Sequence, residues 1–200
     1  MSKVIAFIHL TLDGVMQAPG RPDEDTRGGF EHGGWAAPYS DPDLGKAVSQ
    51  SMGNTGALLL GRRTYEDFYK VWPSRTDSPF TPVLNNTLKY VASTMLEEPL
   101  PWMNSELLPG RAEESVAELR KEPGKDIVIL GSGVLVQSLL RCNLVDELML
   151  TIHPLVLGSG HRLFPDRGPS TTLRLVDSGT TPKGVVVARY QPTQSTMAAT

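Results

Sequence analysis

A glycine, two arginines and a threonine, Gly61-Arg62-Arg63-Thr64, stand where an apolar run gives way to an amphipathic one. The run before them, Ala57-Leu-Leu-Leu60, has the pattern of a buried strand, and Thr64-Tyr-Glu-Asp67 fits the capping-box form that opens a helix. A helix N-terminus offers unpaired backbone N–H groups and the positive end of the macrodipole, so it attracts phosphate. Arg62 and Arg63 add two permanent cations there, and a guanidinium can grip a phosphate through two parallel bonds. The same residues also suit an ordinary strand-turn-helix corner with solvated arginines.

A second glycine turn follows another apolar run in Ile127-Val-Ile-Leu-Gly-Ser-Gly-Val-Leu-Val136. It invites a dinucleotide-binding βαβ reading, which fails on detail. The third glycine of G-x-G-x-x-G would fall at Val136, and Asp146 and Glu147 come too early for the ribose contact. Gly131 and Gly133 still let backbone N–H groups approach a pyrophosphate; helix-strand packing without a ligand is the alternative. The four histidines, His9, His32, His153 and His161, show no ligand spacing. Cys142 stands alone, which excludes an intrachain disulfide and a C-x-x-C metal site.

These residues need elements to hold them. Residues 4–10 form a continuous apolar run with β-branched side chains, as in a strand buried on both faces. Residues 17–40 carry Pro, Gly, Asp and the aromatics Phe30, Trp35 and Tyr39 without periodicity, which predicts a long functional loop. Asp41-Pro42 opens a helix, with Leu44, Ala47, Val48 and Met52 on one face. The helix after Gly61 buries Tyr65, Phe68 and Trp72 and ends at Pro73. Further strands are expected at 89–93 and 126–130, and further helices at 113–121 and after Gly133. From residue 146 the pattern becomes strand only, at 147–156, 172–176 and 185–190. Alternating βα units followed by a β-only end predict one α/β domain, residues 1–191. Its central mixed, mostly parallel sheet is flanked by helices and finished by antiparallel strands, and a flexible tail at 192–200 follows.

A net charge of −3 argues against a broad nucleic-acid footprint, so any phosphate binding must be local. No stretch approaches the ~18 apolar residues that span a bilayer, and the apolar run at the N-terminus is too short for a signal peptide. A cytoplasmic protein is expected.

In this order, Thr11-Leu-Asp-Gly14, Leu60-Gly-Arg-Arg-Thr-Tyr65, Val91-Ala-Ser93, Gly131-Ser-Gly-Val-Leu135, Leu144-Val-Asp-Glu-Leu148 and Val156-Leu-Gly-Ser-Gly-His-Arg-Leu-Phe164 resemble the dihydrofolate reductase-like family. The nearest branch is similar to the C-terminal reductase domain of the bifunctional riboflavin-biosynthesis enzyme, whose zinc-binding deaminase half has no counterpart here. The resemblance implies NADPH lying across the carboxyl edge of the sheet. It assigns Gly61, Arg62, Arg63 and Thr64 to cofactor phosphates and Ser93 to the neighbourhood of the 2′-phosphate. Gly131, Ser132, Gly133, Val134 and Leu135 match the pyrophosphate turn. The family has Gly-Gly where Gly131-Ser132 stands, and in dihydrofolate reductases that bond is cis.

The resemblance also places Thr11 at the cofactor, Asp13 and Thr151 at the substrate, and Asp43, followed by Leu44, as the acid. An acid in a first helical turn is favoured by the macrodipole in any case. Phe30, Trp35 and Trp72 are candidate stacking walls for a flat substrate. The expected activity is an NADPH-dependent reductase of a small heterocyclic or unsaturated compound, and the riboflavin branch implies a homodimer. A non-catalytic nucleotide-binding protein on the same scaffold is the alternative.

Overall fold

The computed structural model describes residues 1–166 and 170–193. Among them an eight-stranded sheet runs in the order β4-β3-β2-β5-β1-β6-β8-β7. Its strands are β1 Val4–Thr11, β2 Thr55–Gly61, β3 Leu88–Ala92, β4 Ser105–Leu107, β5 Asp126–Leu130, β6 Glu147–His153, β7 Leu173–Thr180 and β8 Val186–Pro192. The first six are parallel to one another, and β8 and β7 close the sheet antiparallel, β8 against β6. The β5 strand, apolar in sequence from Ile127 to Leu130, lies between β2 and β1 with both faces covered.

The two-residue period of the strands sorts their side chains onto two cores. Ala6, Ile8 and Leu10 of β1 and Ile127 and Ile129 of β5 meet Val116 and Leu139 on one face. Those last two belong to α4 Ala112–Leu119 and α5 Gly133–Arg141. Ile5, Phe7, Leu58, Leu60 and Val128 face the other way. There they meet Val48 of α1 Pro42–Ser51, Tyr65 and Phe68 of α2 Arg62–Val71 and Leu84 of α3 Phe80–Asn86. Asp41 caps α1 as expected, its carboxylate accepting the Leu44 N–H at 2.8 Å.

Differences from the sequence expectations have local causes. The capping box at Thr64 does not form: α2 starts at Arg62 with Gly61 as N-cap, so Thr64 already lies inside the first turn. The short α3 and the three-residue β4 were not expected from the sequence. Behind α3, Lys89 is fully buried. Its ammonium donates to the carbonyls of Leu84 at 2.8 Å and Thr87 at 2.7 Å and lies 4.6 Å from the Trp102 ring centre. Burial lowers that ammonium to about 8.

In place of the expected strand to residue 156, β6 ends at His153, and β7 extends to Thr180 within the expected turn. Pro192 belongs to β8, opposite Leu173; the expected tail beyond residue 193 lies outside the described residues.

Candidate functional site at the carboxyl edge of the sheet

The β2 and β5 strands are parallel neighbours, yet the helices that follow them leave over opposite faces: α2 packs on the Leu60 side and α5 on the Ile129 side. Their N-termini therefore diverge from one point at the carboxyl edge. A crevice outside the strand ends at such a switch point is the usual ligand position in open α/β sheets. Here the crevice is a cleft of about 1930 Å³.

Ser132 ties the two helix starts together. Its hydroxyl accepts the Gly61 N–H at 2.9 Å and lies 3.0 Å from both the Thr64 hydroxyl and the Leu130 carbonyl. Ser132 itself takes a left-handed backbone, φ 54°, after Gly131 at φ 55°. The only cis peptide bond among the described residues is Glu98–Pro99, so Gly131–Ser132 is trans. The first intrahelical bond of α5 runs from Val136 N–H to the Ser132 carbonyl. The N–H groups of Gly133, Val134 and Leu135, and of Arg62, Arg63 and Thr64 in α2, thus lack intrahelical acceptors. All six residues line the cleft. Arg62 is steered by Glu66, one turn on, at 2.9 Å, whereas Arg63 is exposed and forms no ion pair among the described residues.

Pairing of β2 with β3 sets Ala92 opposite Gly61, so Ser93 emerges beside Arg62. The Ser93 hydroxyl accepts the N–H groups of Met95 and Leu96, each at 3.0 Å, and keeps its proton to donate. Arg111, not singled out from the sequence, lines the cleft too; its nearest carboxylate is that of Glu113 at 3.7 Å. These donors form a surface suited to several phosphate groups.

The structure thus brings ten of the expected site residues to the cleft: Gly61, Arg62, Arg63, Thr64, Ser93 and Gly131 through Leu135. It leaves Thr11, Asp13, Trp35, Asp43 and Thr151 outside its lining. Thr11 and Asp13 form a clamp. The Thr11 hydroxyl donates to Asp13 at 2.6 Å, and the Asp13 carboxylate accepts the N–H groups of Gly158 at 2.9 Å and Leu157 at 3.2 Å. Burial alone would raise the Asp13 carboxyl, but the hydrogen bonds from Thr11, Gly158 and Leu157 outweigh it and hold the group at about 2. Asp43 is exposed on α1. Trp35 is buried with Val15, Ala18 and Phe30, its indole N–H donating to the Gln17 carbonyl at 2.7 Å. Neither Trp35 nor Phe30 walls the cleft; of the three aromatics proposed for stacking, only Trp72 does.

Thr151 is fully buried and reaches the cleft only through His9, whose Nδ1 lies 2.8 Å from its hydroxyl. His9 lines the cleft, and the same Nδ1 lies 3.1 Å from Nε2 of the buried His153. No spacing motif marks this pair. The available signal was strand period: Phe7 and His9 share a face, and their rings meet edge-on at 5.0 Å. Among the described residues no group of three or more His, Cys, Asp or Glu side chains is arranged for a metal ion, and no helix is long and apolar enough to cross a membrane.

A mostly parallel sheet closed by an antiparallel hairpin, with its cleft at the β2/β5 switch point, is a dihydrofolate reductase-like fold. The chain belongs to the RibD C-terminal domain family, whose model matches residues 2–187. It is 31% identical over 196 residues to the uncharacterized protein YyaP of Bacillus subtilis (strain 168), covering 94% of each. A candidate riboflavin biosynthesis protein of Shewanella sp. PV-4 superposes with a TM-score of 0.71 at 24% identity, over 96% of this chain and 99% of that one. Dihydrofolate reductase from Enterococcus faecalis, solved with NADP(H), superposes with a TM-score of 0.55 at 18% identity, over 95% and 96% of the two chains.

Proposed function

We propose that the chain is a reductase using NADPH as hydride donor to a small unsaturated or heterocyclic compound. One observation carries this reading: two helix N-termini converge at the switch point and turn unpaired N–H groups toward a cleft edged by Arg62, Arg63 and Ser93. A pyrophosphate suits the amides of Gly133, Val134 and Leu135, where positive dipole and neutral donors meet. The 2′-phosphate that distinguishes NADPH from NADH suits Arg62, Arg63 and the free proton of Ser93. The cofactor, when bound, supplies the hydride. Gly133 has no side chain, and the space a Cβ would take is filled by the Met16 side chain. Met16 is flexible and lines the cleft, so it can swing aside for the cofactor. With Asp43 outside the lining, solvent water in the cleft supplies the proton that must accompany the hydride.

Titration of NADPH fluorescence tests the cofactor assignment. Arg62→Ala should weaken NADPH by ~1.5–3 kcal/mol, the worth of a charged hydrogen bond, and should leave NADH nearly unaffected. Equal affinity of mutant and parent for NADPH would remove the assignment. A nucleotide-binding protein without chemistry would bind NADPH equally well, so the discriminating measurement is cofactor oxidation that depends on a second compound.

A further inference from the structure

On the α1 side of the glycine turn the cleft changes character. Leu44, Val48, Met52, Phe68, Trp72 and Phe80 line it, and among the described residues α1 and α3 contribute no charged side chain. Of the charged groups that α2 and the segment 17–40 add, Glu66 is engaged by Arg62, Asp67 and Asp23 by Arg21 and Asp25 by Arg27. Glu24 accepts the N–H groups of Gly20 and Arg21, and Arg63 and Lys70 are exposed. A molecule seated here meets apolar and aromatic surface, which disfavours a charged ligand.

Among the described strand residues that line the cleft, His9 alone has a polar side chain. His9 follows Phe7 on the same face of β1, and Phe7 packs in the core that α1, α2 and α3 cover. The imidazole of His9 is fixed from behind, with Nδ1 at 3.1 Å from His153 Nε2 and 2.8 Å from the Thr151 hydroxyl. The hydroxyl donates to that Nδ1, the Ile8 carbonyl lying farther off at 3.4 Å. His153 Nδ1 is buried without a partner. A buried N–H with no acceptor is rarer than an under-used acceptor, which assigns the His153 proton to Nε2, aimed at His9 Nδ1. His9 then carries its own proton on Nε2, the ring nitrogen that makes no hydrogen bond among the described residues. Burial and the neighbouring imidazole hold His9 neutral.

We propose that His9 is the specificity-determining residue of the substrate end, donating one hydrogen bond from Nε2 to a ring nitrogen or carbonyl oxygen of an uncharged, planar molecule. This rests on the reductase reading only in taking the α1 side of the cleft as the substrate end; the recognition itself needs no cofactor. A neutral donor on a locked ring selects an acceptor and gives no Coulombic reward to an anion.

Binding of three probes of similar shape, without NADPH, tests this at pH 7.5. Quinoxaline has two ring nitrogens, naphthalene has none, and naphthalene-2-sulfonate carries a charge. Quinoxaline should bind about fivefold or more tighter than naphthalene, the worth of one hydrogen bond, and the sulfonate should bind weakest. In protein labelled with ¹⁵N-histidine, quinoxaline should shift the His9 Nε2 resonance. His9→Phe should bring quinoxaline and naphthalene within about twofold of each other, since the added discrimination is one hydrogen bond. Equal binding of quinoxaline and naphthalene to the parent, an unmoved His9 resonance at saturation, or tightest binding of the sulfonate would each overturn the proposal. The labelled parent gives the answer even if His9→Phe does not fold. NADPH titration is a separate measurement, so a failed cofactor assignment remains distinguishable from a failed role for His9.

Discussion

His9 and His153 give the folded chain a definite acid sensitivity. Burial first, and then the neighbouring imidazole, lowers His9 from 6.5 to about 3, and burial lowers His153 from 6.5 to about 4. They meet Phe7, Trp35, Tyr39 and Thr151, and among the described residues no charged partner offsets the desolvation. The unfolded chain takes up protons near pH 6.5 that the folded chain refuses until much lower pH. The unfolded state therefore binds more protons, and stability falls as pH drops from 6.5 toward 4. We expect the urea midpoint to decline between pH 7.5 and 5, above the range in which most carboxylates titrate. A variant carrying both His9→Gln and His153→Gln should show a flatter profile; an unchanged slope would assign the effect elsewhere. The sequence could not show this pair, because β1 and β6 are neighbours only after β2 to β5 have formed between them in sequence. Gly61 to Thr64 and Gly131 to Leu135 were legible as cleft residues because their position at strand ends and helix starts follows from local chain geometry. Trp35 was misjudged because an aromatic in a loop does not reveal which way it faces.

Among the elements, the segment 17–40 borders the cleft, but not with the aromatics that were candidates for stacking. Its aromatics Phe30 and Trp35 fill a small core under the loop, while Gln17 to Pro19 and Asp23 to Arg27 line the cleft. Arg21 joins this loop to α2 through both oxygens of Asp67, at 2.6 and 3.2 Å. The pair is partly buried, with side-chain exposures of 29% and 17%, and paired guanidinium geometry favours one loop position. The loop is thus strapped across the cleft beside the proposed phosphate site. We expect Arg21→Ala to speed NADPH release several-fold in stopped flow and to quicken proteolysis within 17–40, while Trp35 fluorescence changes little on cofactor binding because its pocket is separate. Unaltered release and cleavage would mean the strap holds nothing. Long periodic elements such as α1, α2 and α5 were legible, whereas α3, with seven residues and Pro82 inside it, and β4, with three residues, carry too little pattern to register.

At the scale of the whole molecule, the division of the sheet into parallel strands and a closing antiparallel pair was legible from the pattern along the chain, βα units first and strands without helices at the end, whereas the strand order was not. The hairpin that closes the sheet also raises the question of assembly. The edge strand β7 is exposed along nearly its whole length, with Leu175 50% and Val176 39% exposed. A long edge strand with apolar side chains invites pairing or packing by another chain unless something blunts it. Here the pairing shifts register between Leu175 and Asp177, a bulge that disfavours continuous edge-to-edge pairing. We propose that Leu175 and Val176 are covered by packing of this hairpin against the same hairpin of a second copy, the isologous arrangement of a two-fold dimer. We expect light scattering to give twice the chain mass of 21.8 kDa at micromolar concentration. Replacing Leu175 and Val176 by glutamate should return the single-chain mass without lowering the urea midpoint, since neither side chain belongs to the two sheet cores. A parent protein of single-chain mass would rule the dimer out. A dimer that survives both glutamates would move the interface away from β7, because two apposed copies would then bring four carboxylates into one apolar contact, at a cost in desolvation and repulsion that such an interface would not survive.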